Sequence, residues 1–184
     1  MGEVSERERK IVVAVDEGEE SLYALSWCLK NVVFQNSKDT LILLYARPPR
    51  PIYTAMDGTD GEFQTLHPTE ELPGYLFSAD IMATLDRYSY DVAEAVVEKA
   101  KRLCDHLNNV KVETRVESGD ARDVICQVVE KLGAHILVMG SHGYGPIKRA
   151  FIGSVSNHCA KSVKCPVLIV KKPKNSSPLS SSSN

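Results

Sequence analysis

The sequence predicts an α/β domain built on an open, five-stranded parallel sheet with helices on both faces. Three observations carry this. Continuous apolar runs of strand length recur along the chain, stretches with apolar residues every three and four positions lie between them, and the two kinds alternate. That alternation is the order right-handed crossover connections impose on parallel strands. Most of the runs are apolar at every position rather than every second one, as expected of strands covered on both faces.

Residues 10–15, KIVVAV, form the first run and end in Asp16 and the turn-like EGEE. Ser21 can cap the helix that follows, in which Leu22, Leu25, Ser26, Leu29, Val32 and Val33 recur at helical spacing before the polar QNSKD. Residues 40–46, TLILLYA, form the second strand, and RPPRP stops it at about Ala46 because proline fixes φ and offers no N–H. From Arg47 to about Ser78, five prolines and the turn dipeptides Asp57-Gly58, Asp60-Gly61 and Pro73-Gly74 leave neither period. This 47–78 stretch is a long loop, read equally as a functional lid or as a linker without structure.

Within residues 79–107, Val92, Val96, Val97, Ala100, Leu103, Cys104 and Leu107 share one stripe, with Glu94, Glu98, Lys101 and Arg102 opposite: a long amphipathic helix. Residues 110–116, VKVETRV, alternate apolar with polar, so this third strand is half exposed and belongs at a sheet edge. Gly119-Asp120 starts a helix with Ala121, Val124, Ile125, Val128, Val129 and Leu132 on its apolar side. Gly133 closes it, and HILVMG is the fourth strand. A glycine-rich stretch, residues 140–154, leads to a short helix around 155–163 and a fifth strand, Val167 to Val170. Residues 1–9 form a charged arm before a single 10–172 domain, and the 173–184 tail is serine-rich and too polar to bury, with hydroxyls open to modification.

Composition narrows the partners. In 184 residues, 43% are apolar and the net charge is −2. A domain of this size buries roughly 70% of its extended-chain surface and needs no metal or disulfide staple. Near balance of charge excludes a basic footprint for nucleic acid. No apolar run approaches the roughly 20 residues of a membrane span. The opening MGEVSERERK lacks a signal-peptide core, and Glu6 stands where N-myristoylation wants Ser or Thr, so the expected address is cytoplasmic, with the nucleus open. Five cysteines without a C-x-x-C pair read as reduced thiols.

In open parallel sheets ligands bind beyond the carboxyl ends of the strands, where strand order reverses. Asp16 stands at that end of the first strand and Gly140 at that end of the fourth. If these strands are neighbours, the two residues face one crevice. The stretch GSHGYGPIKRAFIGS lacks the G-K-[ST] of a Walker loop and does not fit G-x-G-x-x-G, since Lys148 follows Gly145 by three. Glycines still let backbone amides approach an anion closely, and Gly153-Ser154 opens the last helix, whose amino end favours phosphate. Lys148 and Arg149 add positive charge. From glycine content alone, simple turns explain the stretch equally well.

The spacing Gly140-x2-Gly143-x9-Gly153-Ser154 resembles the nucleotide signature of the ATP-binding branch of the universal stress protein family. The similarity continues through VVAVDEGEESLYALSWCL, LILLYARP, GDARDVICQVVEKLGAHILVMGSHG and GSVSNHCAKSVKCPVLIVK, and is greatest to plant members with an extended loop after the second strand. The resemblance implies the sheet order 3-2-1-4-5 and ATP or another adenine nucleotide as ligand, with Mg²⁺ as an accompanying ion. It implies that Asp16 and Gly140 meet the ribose and that the backbone near Ala46 meets the adenine. It implies that Gly143, Gly153, Ser154, Val155 and Ser156 wrap the phosphates, mainly through backbone amides. Members without these glycines typically do not bind ATP.

Other side chains carry less. His142 in the glycine loop could touch a phosphate but reads better as solvated. His158, Cys159 and Cys165 lack the count and spacing of a closed zinc site, and a Cys159–Cys165 disulfide suits the cytosol poorly. With neither a nucleophile–base pair nor a Walker lysine, the expected function is a nucleotide-dependent stress-response or signalling module rather than an efficient enzyme. The alternatives are a slow ATPase or a phosphoryl or nucleotidyl transferase, and a chaperone-like holdase with incidental nucleotide. In the implied order the fifth strand is an edge, apolar at every position from Val167 to Val170, which predicts a homodimer pairing this strand with its copy.

Overall fold

The computed structural model describes residues 8–34, 38–49, 79–107, 110–142 and 152–173. Among these residues five strands, β1 (Lys10–Val15), β2 (Thr40–Arg47), β3 (Lys111–Ser118), β4 (Ile136–Gly140) and β5 (Val167–Val170), alternate with four helices. These are α1 (Glu19–Asn31), α2 (Ala79–Leu103), α3 (Ala121–Leu132) and α4 (Ser154–Ser162). All strand pairs are parallel, as the apolar runs predict, and the order is β3-β2-β1-β4-β5, as the resemblance implies. β1 has β2 on one side and β4 on the other, with Val12 level with both Ile42 and Leu137. The chain therefore departs in opposite directions from the ends of β1 and β4, which opens a crevice between them.

The continuous apolar runs follow from burial on two faces. Ile11, Val13 and Val15 join Leu41, Leu43 and Tyr45 in the core under α1 and α2. Val12 and Ala14 join Ile42, Leu44, Leu137 and Met139 in the core under α3 and α4. Each fully buried leucine or isoleucine contributes roughly 1.5–3 kcal/mol, so neither face can turn polar without loss of the fold. β3 has a single neighbour and a mostly exposed alternating pattern, as an edge strand should. Among the described residues no helix is long and apolar enough to cross a membrane.

The element ends show where local chemistry decides. Asp120 caps α3 by accepting the Arg122 N–H at 2.9 Å, and Gly133 ends that helix in the left-handed region at φ 60°. α1 differs from expectation, because its N-cap is Gly18 and Ser21 lies inside the first turn. Glu19 and Glu20 suit the positive amino end of the helix dipole, so the helix begins at Glu19. The Ser21 hydroxyl instead accepts the Asp16 N–H at 3.1 Å and donates to the Gly18 carbonyl at 3.0 Å, fastening the turn after β1. β2 runs one residue further than expected, to Arg47, whose carbonyl accepts the Gly119 N–H at 2.9 Å. The greater part of the 47–78 loop and the tail beyond Pro173 lie outside the described residues.

Candidate functional site

Three chain segments meet at the carboxyl ends of β1 and β4. Asp16 follows β1 directly, and its Oδ1 accepts the Gly18 N–H at 3.0 Å, an Asx turn that holds the carboxylate at the mouth of the crevice. At Gly140 a Cβ would lie 3.1 Å from both the Glu20 carbonyl carbon and the Ser21 nitrogen. The first turn of α1 can pack this tightly on β4 only because the residue is glycine.

The third segment is the amino end of α4. The Gly153 N–H donates to the Ser141 carbonyl at 2.6 Å, and the Ser156 hydroxyl donates to the Gly140 carbonyl at 2.9 Å. The chain thus departs after Ser141 and returns at Gly153 through one point. Gly153 is the N-cap of α4, with no capping side chain and no acidic residue in the first turn. α1 and α3, by contrast, carry acidic first turns, and α3 has its own carboxylate cap. The first N–H groups of a helix have no partner within it, and among the described residues no capping side chain offsets the positive end of α4. These residues fit an anionic ligand.

The space between the segments is an open crevice whose walls include Asp16, Ala46, Gly140, Val155 and Ser156. Leu44, Ile125 and Met139 line it as well and supply apolar surface. Ser154 lines an adjoining open space that shares Ala46, Ala121 and Val155 with the first. Of the residues read from sequence, Asp16, Ala46, Gly140, Val155 and Ser156 therefore share one crevice, Gly153 closes its loop, and Ser154 stands next door. Gly143, Gly145, Lys148 and Arg149 lie outside the described residues. The arrangement offers an apolar slot for a flat ring, a carboxylate for hydroxyl donors beside it, and helix-terminal amides for an anion.

His142 does not match its solvated reading. Its side chain is 12% exposed, lines the crevice and has Nδ1 3.1 Å from the Ser141 hydroxyl and 3.6 Å from Glu20 Oε2. Packing of α1 against the end of β4 draws it in. The sequence reading also missed Glu20 and Ser141, whose Oγ donates to Glu20 Oε2 at 2.7 Å. A partnership across 121 positions leaves no local pattern. Cys159 is buried with its Sγ 4.0 Å from that of Cys126 on α3, and burial pushes its thiol up to about 12, far from a reactive thiolate at neutral pH.

Known proteins place the chain. The model of the universal stress protein family matches residues 8–64 and 55–171. An Arabidopsis thaliana relative, universal stress protein PHOS32, is 30% identical over 179 residues, which is 90% of this chain and 65% of that protein. The chain thus spans a little under two thirds of that relative's length. Among solved structures, an Arabidopsis thaliana universal stress protein family protein with AMP bound superposes with a TM-score of 0.57 at 20% identity, covering 94% of this chain and 97% of that one. A universal stress protein in complex with cAMP gives 0.57 at 22% identity, covering 88% and 96%. On the family match over nearly the whole described fold, with the strand order those structures share, the chain belongs to the universal stress protein family.

Proposed function

We propose that the chain binds an adenine nucleotide, ATP or a shorter phosphate ester, in the crevice between β1 and β4, and acts as a nucleotide-dependent stress-response or signalling module. In this reading the adenine lies on the apolar surface beside the Ala46 backbone, and Asp16 accepts the ribose hydroxyls next to Gly140. The amides of Gly153, Ser154, Val155 and Ser156, with Gly143, take the phosphates, and Mg²⁺ accompanies a triphosphate. The observation that carries it is the convergence of Asp16, Ala46, Gly140, Val155 and Ser156 on one crevice. Relatives of the same fold with AMP and cAMP bound support the ligand class. A cradle of backbone amides binds ground-state phosphate and transition state alike, so retention rather than rapid turnover is expected. The protein acts as a homodimer joined along β5 in this reading.

Titration calorimetry with ATP, AMP, adenosine and GTP tests the reading, with native mass spectrometry of the purified protein to identify a ligand carried from the cell. Saturable binding of adenine nucleotides in preference to GTP supports it. No heat with any adenine compound, together with a ligand-free mass, overturns it.

A further inference from the structure

Ser141 is 2% exposed, and its polar groups all engage other elements. Its N–H donates to the Val170 carbonyl of β5 at 3.0 Å, and its carbonyl accepts from Gly153 at 2.6 Å. Its hydroxyl donates to Glu20 Oε2 at 2.7 Å. The same Oε2 accepts the His142 N–H at 3.1 Å, and His142 Nδ1 lies 3.6 Å from it. One carboxylate oxygen on the first turn of α1 thus holds two consecutive residues where the chain leaves β4, and charge-assisted bonds of this kind are roughly twice as strong as neutral ones. Gly140 allows α1 to come close enough for the reach. Glu20 itself is not among the crevice walls, whereas His142, Ser156 and Val155 are.

We propose that Glu20 is a positioning residue: through Ser141 and His142 it sets the pose of the loop mouth and, across the Ser141–Gly153 bond, of the amides at the start of α4. The inference rests on the nucleotide reading and adds to it the side chain that governs the preference for phosphorylated over unphosphorylated nucleosides. Ala46 belongs to β2, and Asp16 follows β1 in a turn fastened by Gly18 and Ser21, so the nucleoside end of the crevice stays as it is when this clamp is lost.

The test is titration calorimetry of adenosine and ATP with the wild-type chain, Glu20→Ala, Glu20→Gln and Ser141→Ala. Glu20→Ala is expected to weaken ATP binding about tenfold, the scale of a lost charged hydrogen bond, while adenosine affinity stays within about twofold. Glu20→Gln keeps an oxygen that accepts from both Ser141 and His142 and retains ATP affinity, and Ser141→Ala falls between. Amide exchange at His142 and Gly153 quickens in Glu20→Ala while the strand amides keep their protection. Wild-type ATP affinity in Glu20→Ala overturns the proposal, as does an equal loss of adenosine and ATP. If Glu20→Gln is as weak as Glu20→Ala, the carboxylate acts by its charge and the positioning role is wrong. Should Glu20→Ala not fold, Glu20→Gln and Ser141→Ala make the same comparison. A wild-type chain that binds neither compound overturns the nucleotide reading itself, whatever the variants do.

Discussion

A Cβ added at Gly153 would lie 3.0 Å from the Ser141 carbonyl oxygen and 3.3 Å from the His142 Cα, both backbone, so nothing there can swing aside. Gly153→Asp adds that clash and a negative charge beside the helix end assigned to phosphate. At a few ångströms in a partly desolvated site such repulsion costs roughly 3 kcal/mol, about a hundredfold in ATP affinity. Calorimetry showing wild-type affinity would move the phosphate site elsewhere. In the proposed reading Asp16 acts at the other end of the crevice. Asp16→Ala removes a charged acceptor for ribose hydroxyls and is expected to weaken adenosine and ATP by the same factor, about 1.5–3 kcal/mol each. A loss confined to the triphosphate would contradict the ribose role.

At the scale of elements, the helices differ in what occupies their amino ends. α3 satisfies its own with Asp120, which also meets the Arg122 guanidinium at 3.0 and 2.7 Å. The side chain of Arg122, and then its backbone N–H, hold the Asp120 carboxyl down from 3.8 to about 2. A carboxyl whose folded value is depressed stabilises the fold in full above its unfolded value and loses that contribution as pH falls through the folded one. The contribution of Asp120 therefore fades between about pH 4 and pH 2. Asp120→Asn keeps a capping oxygen without the charge, and urea midpoints measured across that range should fall less steeply than for the wild type. Asp120→Ala removes the cap and costs about 1 kcal/mol at neutral pH. An Asn variant with the wild-type acid slope would show that the ion pair contributes nothing. Among the described residues α4 carries no such cap, and in the proposed reading the phosphates take that place.

At the scale of the molecule, the sheet has two unlike edges. β3 presents Lys111, Glu113, Arg115 and Glu117, charges that discourage pairing, whereas β5 is Val-Leu-Ile-Val. The carbonyls of Pro166 and Val170 face β4, accepting from Leu137 and Ser141 at 3.0 Å each. Alternation along a strand then turns the N–H of Ile169 outward, away from β4. Ile169→Pro removes an outward donor while leaving the bonds that the Pro166 and Val170 carbonyls accept from Leu137 and Ser141 in place. Light scattering is expected to show a wild-type dimer at tens of micromolar and a monomeric Ile169→Pro with unchanged circular dichroism. A wild-type monomer, or a dimeric variant, removes β5 as the interface.

What the sequence determined by itself is whatever a local period reports. Residues 10–15 and Val167 to Val170 are legible as strands because burial on both faces leaves an unbroken apolar run, and residues 110–116 are legible as an edge because one exposed face restores alternation. Gly140 and Gly153 are legible as glycines for a related reason, since close backbone approach excludes a Cβ at each. Tertiary structure alone decided the rest. Arg9, read as the last residue of a charged arm, is drawn by packing onto Asp39, which is 1% exposed and receives the Arg9 Nε at 2.9 Å. Ser21 fastens the Asp16 turn instead of capping α1, and Glu20 reaches Ser141 and His142 only because α1 packs on the end of β4. Hydrogen bonds between groups distant in sequence depend on how whole elements are set against one another, and no residue's neighbours along the chain encode that geometry.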